Sequence, residues 1–371
     1  MRVPLVDLAA QEACVGGDAI AAVAEVARQA KFVLGAHVEK FERWLARFCG
    51  AAEAIGVASG TDAIELSLRA LGIGPGDAVI TPAFSFIAAA EAITAAGARP
   101  LFCDIDANTM NASVGTATNA LDRGRRAGLR VRAIVPVHLF GRCVPHALAT
   151  WARAEGLAFV EDAAQALGAR DDAGFPAGAT GDASAFSFFP TKALGAWGDA
   201  GAAVTSRPEV AGRIRRLRAH GAIEPYVHAE AGRNSRLDAV QAAILMSKTH
   251  HLATWSERRT QIVERYLRAL APLPMTLPAP MEPPGVHAWH AFVIRTKKRD
   301  ALARHLRDRD IETRVYYPVP LHRQPCFTSL EEPPQPVAEQ ACDTALALPL
   351  FVTLSAEQQE VVTDQVVRFF G

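Results

Sequence analysis

Between residues 54 and 206, short apolar runs alternate with segments whose apolar positions recur at three- and four-residue spacing. The runs Ala54–Ala58, Ala78–Thr81, Pro100–Asp104, Ala133–His138, Leu157–Glu161, Ser184–Phe188 and Ala202–Thr205 predict strands. Several are apolar throughout rather than alternating, the pattern of strands covered on both faces. Between them, Asp62–Leu71, Ile87–Ala96 and His146–Glu155 predict helices. That rhythm builds βαβ units and a mainly parallel sheet between two helical layers, an α/β fold.

The flanks read differently. Residues 1–50 predict a helical lead-in that ends near Cys49-Gly50, and residues 207–270 predict mostly helix. The segment Ala271–Gly285 is too rich in proline for a helix interior or a central strand, so it is a linker or an extended edge. Beyond it the pattern restarts with a strand at Trp289–Arg295, a helix at Asp300–Arg309 and a strand at Glu312–Tyr317. Ser355 opens a last helix, with Gln358 at capping-box spacing. The expected organisation is a large α/β domain over residues 1–270 and a small α+β domain over 271–371.

Composition narrows the function classes. A chain of 371 residues is long enough for two domains and a large core. The 39 basic and 39 acidic residues balance, so neither nucleic acid nor an anionic membrane is an expected partner. The basic run Arg213–Arg218 reads as the solvated face of a helix. Six scattered cysteines, with no C-x-x-C pair and no histidine clustering, argue against a disulfide framework and a metal site, and fit a reducing cytoplasm. Met1–Asp7 lacks the apolar core of a signal peptide, and no window has the length of a membrane span.

Four stretches carry candidate chemistry. Lys192 is the only lysine between Lys40 and Lys248, and its neighbours in Ala185–Gly195 are aromatic, small or apolar. Such surroundings lower an amine from its ordinary pKa of about 10.4 and free it for a Schiff base; snorkelling or a structural ion pair is the plain alternative. Ser59-Gly60-Thr61-Asp62 lies between a strand and an amphipathic helix, where free amides and a hydroxyl suit a phosphate, or where Ser59 is simply an N-cap. Asp162 ends an apolar strand, the edge at which open α/β sheets bind ligands, whereas Glu161 points to the other face if the strand persists. There a carboxylate keeps a pyridine nitrogen protonated, or else caps a helix. Phe86, after a strand, offers a face for stacking on a planar cofactor, or core packing. Ser187 is five residues before Lys192, within reach of the same ligand.

The order of these features is that of a fold-type I pyridoxal-phosphate enzyme, and the chain resembles the sugar-nucleotide aminotransferases of the DegT/DnrJ/StrS group over nearly its whole length. The resemblance is carried by Phe32–Gly35 with Val38–Glu42, Ser59–Ala63, Gly72–Asp77, Pro136–Gly141, Val160–Gln165, Phe186–Lys192 and Gly232–Asp238. It implies a three-layer α/β/α fold, pyridoxal 5′-phosphate bound to Lys192 as a Schiff base, and pyridoxamine 5′-phosphate between half-reactions. It further implies that Asp162 pairs with the ring nitrogen and that Gln165 contacts the ring's hydroxyl side. Gly60, Thr61 and Ser187 would hold the phosphate, Phe86 would stack on the ring, and Asn234 would reach the phosphate of the partner in a homodimer.

The expected reaction moves an amino group from L-glutamate to a keto-sugar nucleotide. Gly198-Asp199-Ala200-Gly201 and Asn234-Ser235-Arg236-Leu237 resemble members that aminate C3 rather than C4, although Ala200 stands where many members have glycine. Arg236, His290, Tyr317 and His322 are candidate substrate contacts; core packing or a core hydrogen bond is the alternative for His290 and Tyr317, and His138 is equally read as structural. Arg233 shares with Arg236 the chemistry for a carboxylate or diphosphate. Two rival readings are an aminotransferase for a cyclitol ketone and a non-catalytic sensor that binds sugar or cofactor. The intact lysine and phosphate loop count against the sensor.

Overall fold

The computed structural model describes residues 1–371. Seven strands form the central sheet: β1 (Glu53–Val57), β2 (Asp77–Pro82), β3 (Arg99–Cys103), β4 (Arg130–Ile134), β5 (Ala158–Asp162), β6 (Ala183–Ser187) and β7 (Gly201–Thr205). Their order is β1-β7-β6-β5-β4-β2-β3, with β7 antiparallel to both neighbours and every other pairing parallel. β2 and β7 are buried at every residue, which is why their sequences do not alternate.

Helices cover both faces. The lead-in is α1 (Leu8–Ala13), α2 (Gly16–Gln29) and α3 (Ala36–Cys49), closed by Gly50 at φ +68°. Then come α4 (Gly60–Ala70), α5 (Ala88–Ala95), α6 (Val114–Arg126), α7 (His146–Ala154), α8 (Pro208–Leu217), α9 (Ala239–Lys248) and α10 (Leu252–Leu270). On one face Val57, Val79, Val135 and Val160 pack with α4, α5 and α8. On the other, Ala202 and Val204 meet α3 and α9, while Ile80, Ile134 and Phe159 meet α6 and α7. Adjacent residues of one strand thus serve opposite cores, as the period of two requires.

Several segments depart from expectation. Strand β4 covers Arg130–Ile134 and not Ala133–His138, because beyond Ile134 the pairing persists only as the isolated bridge of Val137 to Asp162. Residues 219–235 are not helical: β8 (Ala222–Glu224) and β9 (Val227–His228) make a small hairpin that leaves Ile223, Tyr226 and Val227 exposed. After α8 ends at Leu217 the chain turns through His220 (φ +63°) and Gly221 (φ +72°), and a Cβ on Gly221 would lie 1.8 Å from the Glu230 carbonyl oxygen. Glu312–Tyr317 is not a strand either. Only the isolated bridge Arg314 to Ala347 falls within it, and Tyr316 and Tyr317 both line the same cavity. A regular strand would send those two side chains to opposite faces.

The second unit is built on β10 (Phe292–Arg295) paired with β11 (Ala345–Leu348), with α11 (Arg299–Arg307), α12 (Pro336–Thr344) and α13 (Ala356–Phe370). Its core joins Phe292, Ile294, Leu302, Leu346 and Val362 to Ile262, Tyr266 and Leu270 of α10 and to Val3. Strand β10 starts later than Trp289 because the residues before it turn back to the large sheet, His290 N donating to the Phe140 carbonyl at 2.9 Å. The proline-rich segment is extended, and Thr276 exchanges both backbone bonds with Arg295. Ser355 and Gln358 form the capping box of α13.

β7 begins hard against the start of α4: a Cβ on Gly201 would lie 2.2 Å from the Ser59 carbonyl carbon and 2.6 Å from Gly60 N. Gly201→Ala is therefore expected to cost about 1–3 kcal/mol or more, as overpacking does. Urea unfolding checks this; a midpoint equal to that of the parent would contradict the contact.

Candidate active site

At the carboxyl ends of β5 and β6 lies a cavity of about 390 Å³. Ser59 caps α4, its side chain accepting from Asp62 N, which leaves the first amides of the helix free at the cavity wall. Gly60 permits this helix end to sit on β6: a Cβ there would be 2.8 Å from the Ser187 Cβ. Gly60, Thr61 and Ser187 thus share one wall.

Asp162 and Glu161 part as the strand period demands. Glu161 turns away and accepts from His138 Nε2 (2.8 Å), Gly178 N (3.0 Å), Thr180 N (3.0 Å), Gly181 N (2.6 Å) and Ser184 Oγ (2.9 Å). Burial pushes its carboxyl upward, but the bonds from His138, Gly178 and Gly181 outweigh it and hold the group below the usual carboxylate range. His138 is structural: Nε2 donates to Glu161 and Nδ1 accepts from Val144 N at 3.2 Å.

Asp162 faces the cavity and accepts one bond, from Ala164 N at 3.1 Å. Burial raises its carboxyl above the usual range, offset in part by Ala164 N, Lys192 and His138. Across from it, Lys192 is lowered to about 8, because burial outweighs the attraction of Asp162. The loop that carries Lys192 is fixed by Lys192 N to the Phe189 carbonyl and Ala196 N to the Phe188 carbonyl, both 2.8 Å.

The remaining wall is aromatic. Phe86 is 55% exposed because it faces the open cavity, 6.2 Å from the Tyr317 ring. Gln165 accepts from Phe140 N at 2.7 Å and donates to Tyr317 Oη at 3.1 Å. His290 also lines the cavity, and burial, Lys192 and Arg259 keep its imidazole neutral.

Nine sequence candidates therefore meet at one cavity: Gly60, Thr61, Phe86, Asp162, Gln165, Ser187, Lys192, His290 and Tyr317. Three do not. His322 is buried behind β3, bonded to Glu339 at 2.9 Å and packed on Phe102, so it is not a contact of this cavity. Arg236 and Asn234 lie outside the wall, Asn234 exposed with its backbone bridged to Ala219. Arg233 is engaged with Asp62 (3.2 Å) and Glu65 (2.9 Å). Sequence reasoning missed Ser85, Phe140, Thr191 and Tyr316 as wall residues. Thr191 and Ser85 adjoin recognised motifs, whereas nothing in the local pattern marks Tyr316.

A half-buried amine opposite a buried acid, beside a helix amino terminus open to phosphate, defines a pyridoxal-phosphate enzyme of fold type I. The arrangement fits that cofactor: buried Asp162, bonded only by Ala164 N, is placed to take the charge of a protonated ring nitrogen, and the lack of a side chain at Gly60 brings the start of α4 and the Ser187 hydroxyl to one wall that suits a phosphate. The chain belongs to the DegT/DnrJ/EryC1/StrS aminotransferase family, which it matches over residues 13–367. It is 42% identical to a "Pleiotropic regulatory protein" of Geobacillus stearothermophilus, over 100% of this chain and 99% of that one. It is 41% identical to the dTDP-3-amino-3,4,6-trideoxy-alpha-D-glucose transaminase of Streptomyces venezuelae, over 98% and 95% of the two chains. The crystal structure of S. venezuelae DesV with a ketimine intermediate superposes with a TM-score of 0.94 at 41% identity, covering 99% of this chain and 98% of that one. NtdA of Bacillus subtilis with bound cofactor PMP superposes at 0.87 with 30% identity, over 95% and 81%. The protein is a pyridoxal-phosphate-dependent aminotransferase.

Because Lys192 is lowered to about 8, its amine is mostly cationic at pH 7 and mostly neutral at pH 9. Capture of pyridoxal phosphate by the apoprotein is expected to accelerate as pH rises through about 8 and then level. Stopped-flow absorbance checks this; a rate still climbing at pH 10 would show an ordinary lysine.

Proposed function

We propose that this enzyme transfers the amino group of L-glutamate to the C3 ketone of a nucleotide-linked sugar. The reading is carried by the convergence of Lys192, Asp162 and the Gly60-Thr61 helix end on one cavity. When bound, pyridoxal phosphate supplies an aldehyde that takes up and passes on an amino group, and a ring that spreads the electron pair of the neighbouring carbon. Asp162 would keep a proton on the ring nitrogen and so make that spreading effective. With its amine free, Lys192 would be the group that takes the proton from the donor α-carbon and gives one up again, serving as both base and acid. Its lowered pKa suits that double duty near neutral pH. Gly60, Thr61 and Ser187 would hold the phosphate, Phe86 would stack on the ring, and Gln165, held by Phe140 and Tyr317, would meet its hydroxyl side.

Preference for C3 is supported by the Gly198–Gly201 and Asn234–Leu237 patterns and by the 3-amino product in the Streptomyces relative's name. Asp199 lines the cavity from the first of those patterns. We assign the active unit as a homodimer: Asn234, exposed and outside its own cavity, is free to serve the partner's phosphate. Six unpaired cysteines suit a cytoplasmic enzyme. The regulatory name of the Geobacillus relative raises the sensor reading, and the intact Lys192, Asp162 and helix end weigh against it.

Purified protein with pyridoxal phosphate is expected to show a yellow band that L-glutamate bleaches, with 2-oxoglutarate released in equal amount. A 3-keto sugar nucleotide should restore the band, and free cyclitol ketones should not. A band indifferent to every amino acid would favour the sensor; restoration by cyclitol ketones alone would move the acceptor to that class.

A further inference from the structure

Arg259 is a buried cation without a counter-ion. It sits on α10, 7% exposed, and no carboxylate lies within ion-pair distance. Its one hydrogen bond, Nη2 to the Ala193 carbonyl, is 3.5 Å long, at the limit for such a bond. The other deeply buried cations are served differently. Arg218 donates to Glu42 at 2.6 Å and to the Gly56 carbonyl at 2.7 Å, and Lys248 holds Glu12 and the Gly195 carbonyl. An unpaired buried charge is costly, so it needs a reason outside the fold's own stability. Burial lowers Arg259 to about 10, which leaves it cationic at neutral pH.

The side chain lines a second cavity of about 60 Å³, whose other polar walls are Gln11, Thr191, Lys192, His290 and Tyr316. The last four line the main cavity as well, so the two spaces meet at Lys192. No acid lines the smaller space. Its volume takes a few waters or one carboxylate group, and is far too small for a sugar or a diphosphate. A guanidinium fork matches a carboxylate in shape and charge, and Gln11, itself 7% exposed, adds a neutral donor. An amino acid needs this juxtaposition, because its carboxylate lies one carbon from the amine that must reach the site of Lys192.

We propose that the side cavity is the carboxylate subsite for the amino donor, with Arg259 as its anion-binding residue. The assignment rests on the aminotransfer reading above and adds the chemistry that selects an amino acid over a simple amine.

The test compares holoenzyme and its Arg259→Met and Arg259→Lys variants by the rate at which the visible cofactor band is discharged. Three probes are used: L-glutamate, L-alanine, and hydroxylamine, which attacks the cofactor but has no carboxylate. Arg259→Met is expected to need about 10–100-fold more amino acid for half-maximal rate, the range for a lost charged hydrogen bond. Arg259→Lys should recover part of that loss. The resting spectrum and the hydroxylamine rate should stay at parent values. A loss with both amino acids identifies the α-carboxylate as the bound group, and a loss with glutamate alone identifies the side-chain carboxylate. An unchanged amino-acid requirement overturns the proposal. So does an equal change with hydroxylamine, which would make Arg259 a support of the Lys192 loop. If neither amino acid discharges the parent's band while hydroxylamine does, the glutamate reading fails and the subsite falls with it.

Discussion

Desolvation at the floor of the main cavity is the constraint on which the site depends. Two opposite charges, Lys192 and Asp162, are held where water cannot fully solvate either, and each is pushed toward its neutral form. Their mutual attraction restrains both shifts without cancelling them. Such a pair is stable only if the surrounding frame leaves it no escape to solvent. The frame is the sheet: β5 ends at Asp162, and the β6–β7 connection returns Lys192 to the same edge because β7 runs antiparallel and is buried throughout. Glu161, saturated by five donors on the opposite side, pins the strand end that presents Asp162.

The second unit completes the cavity rather than standing beside it. His290 arrives because its backbone is bonded to Phe140, and Tyr317 because its hydroxyl meets Gln165. Tyr317 also lies within 6.4 Å of the Phe84, Phe86 and Phe140 rings, so three rings from two segments of the large unit meet one ring of the small one. Arg259 extends the same logic, since α10 belongs to the smaller core yet carries a side chain to the wall shared with Lys192.

Much of this was legible in the chain. Six of the seven central strands match their apolar runs to within a residue, whereas β4 spans Arg130–Ile134 instead of Ala133–His138; the alternation along β5 already separates Asp162 from Glu161. The Ser59 cap and the Ser355–Gln358 box were likewise local signals. What escaped was whatever depends on contacts between distant segments. Glu312–Tyr317 has strand composition, but its path is set by Gln165 and Phe140, not by a neighbouring ladder. His322 and Arg236 have the right chemistry, yet packing on Phe102 and Glu339 takes His322 behind β3, and Arg236 falls outside the wall. Arg259 gave no signal at all, because an arginine among the charges of a long amphipathic helix reads as solvated until its burial is seen.

The most direct measurement is to reduce the holoenzyme with borohydride, digest it, and locate the added cofactor mass by peptide sequencing. The chain has few lysines, and only Lys192 lies in the cavity. The account predicts stoichiometric label on Lys192 and none on Lys31, Lys40, Lys248, Lys297 or Lys298. Label on any of those, or a reduced enzyme that carries none, would contradict it.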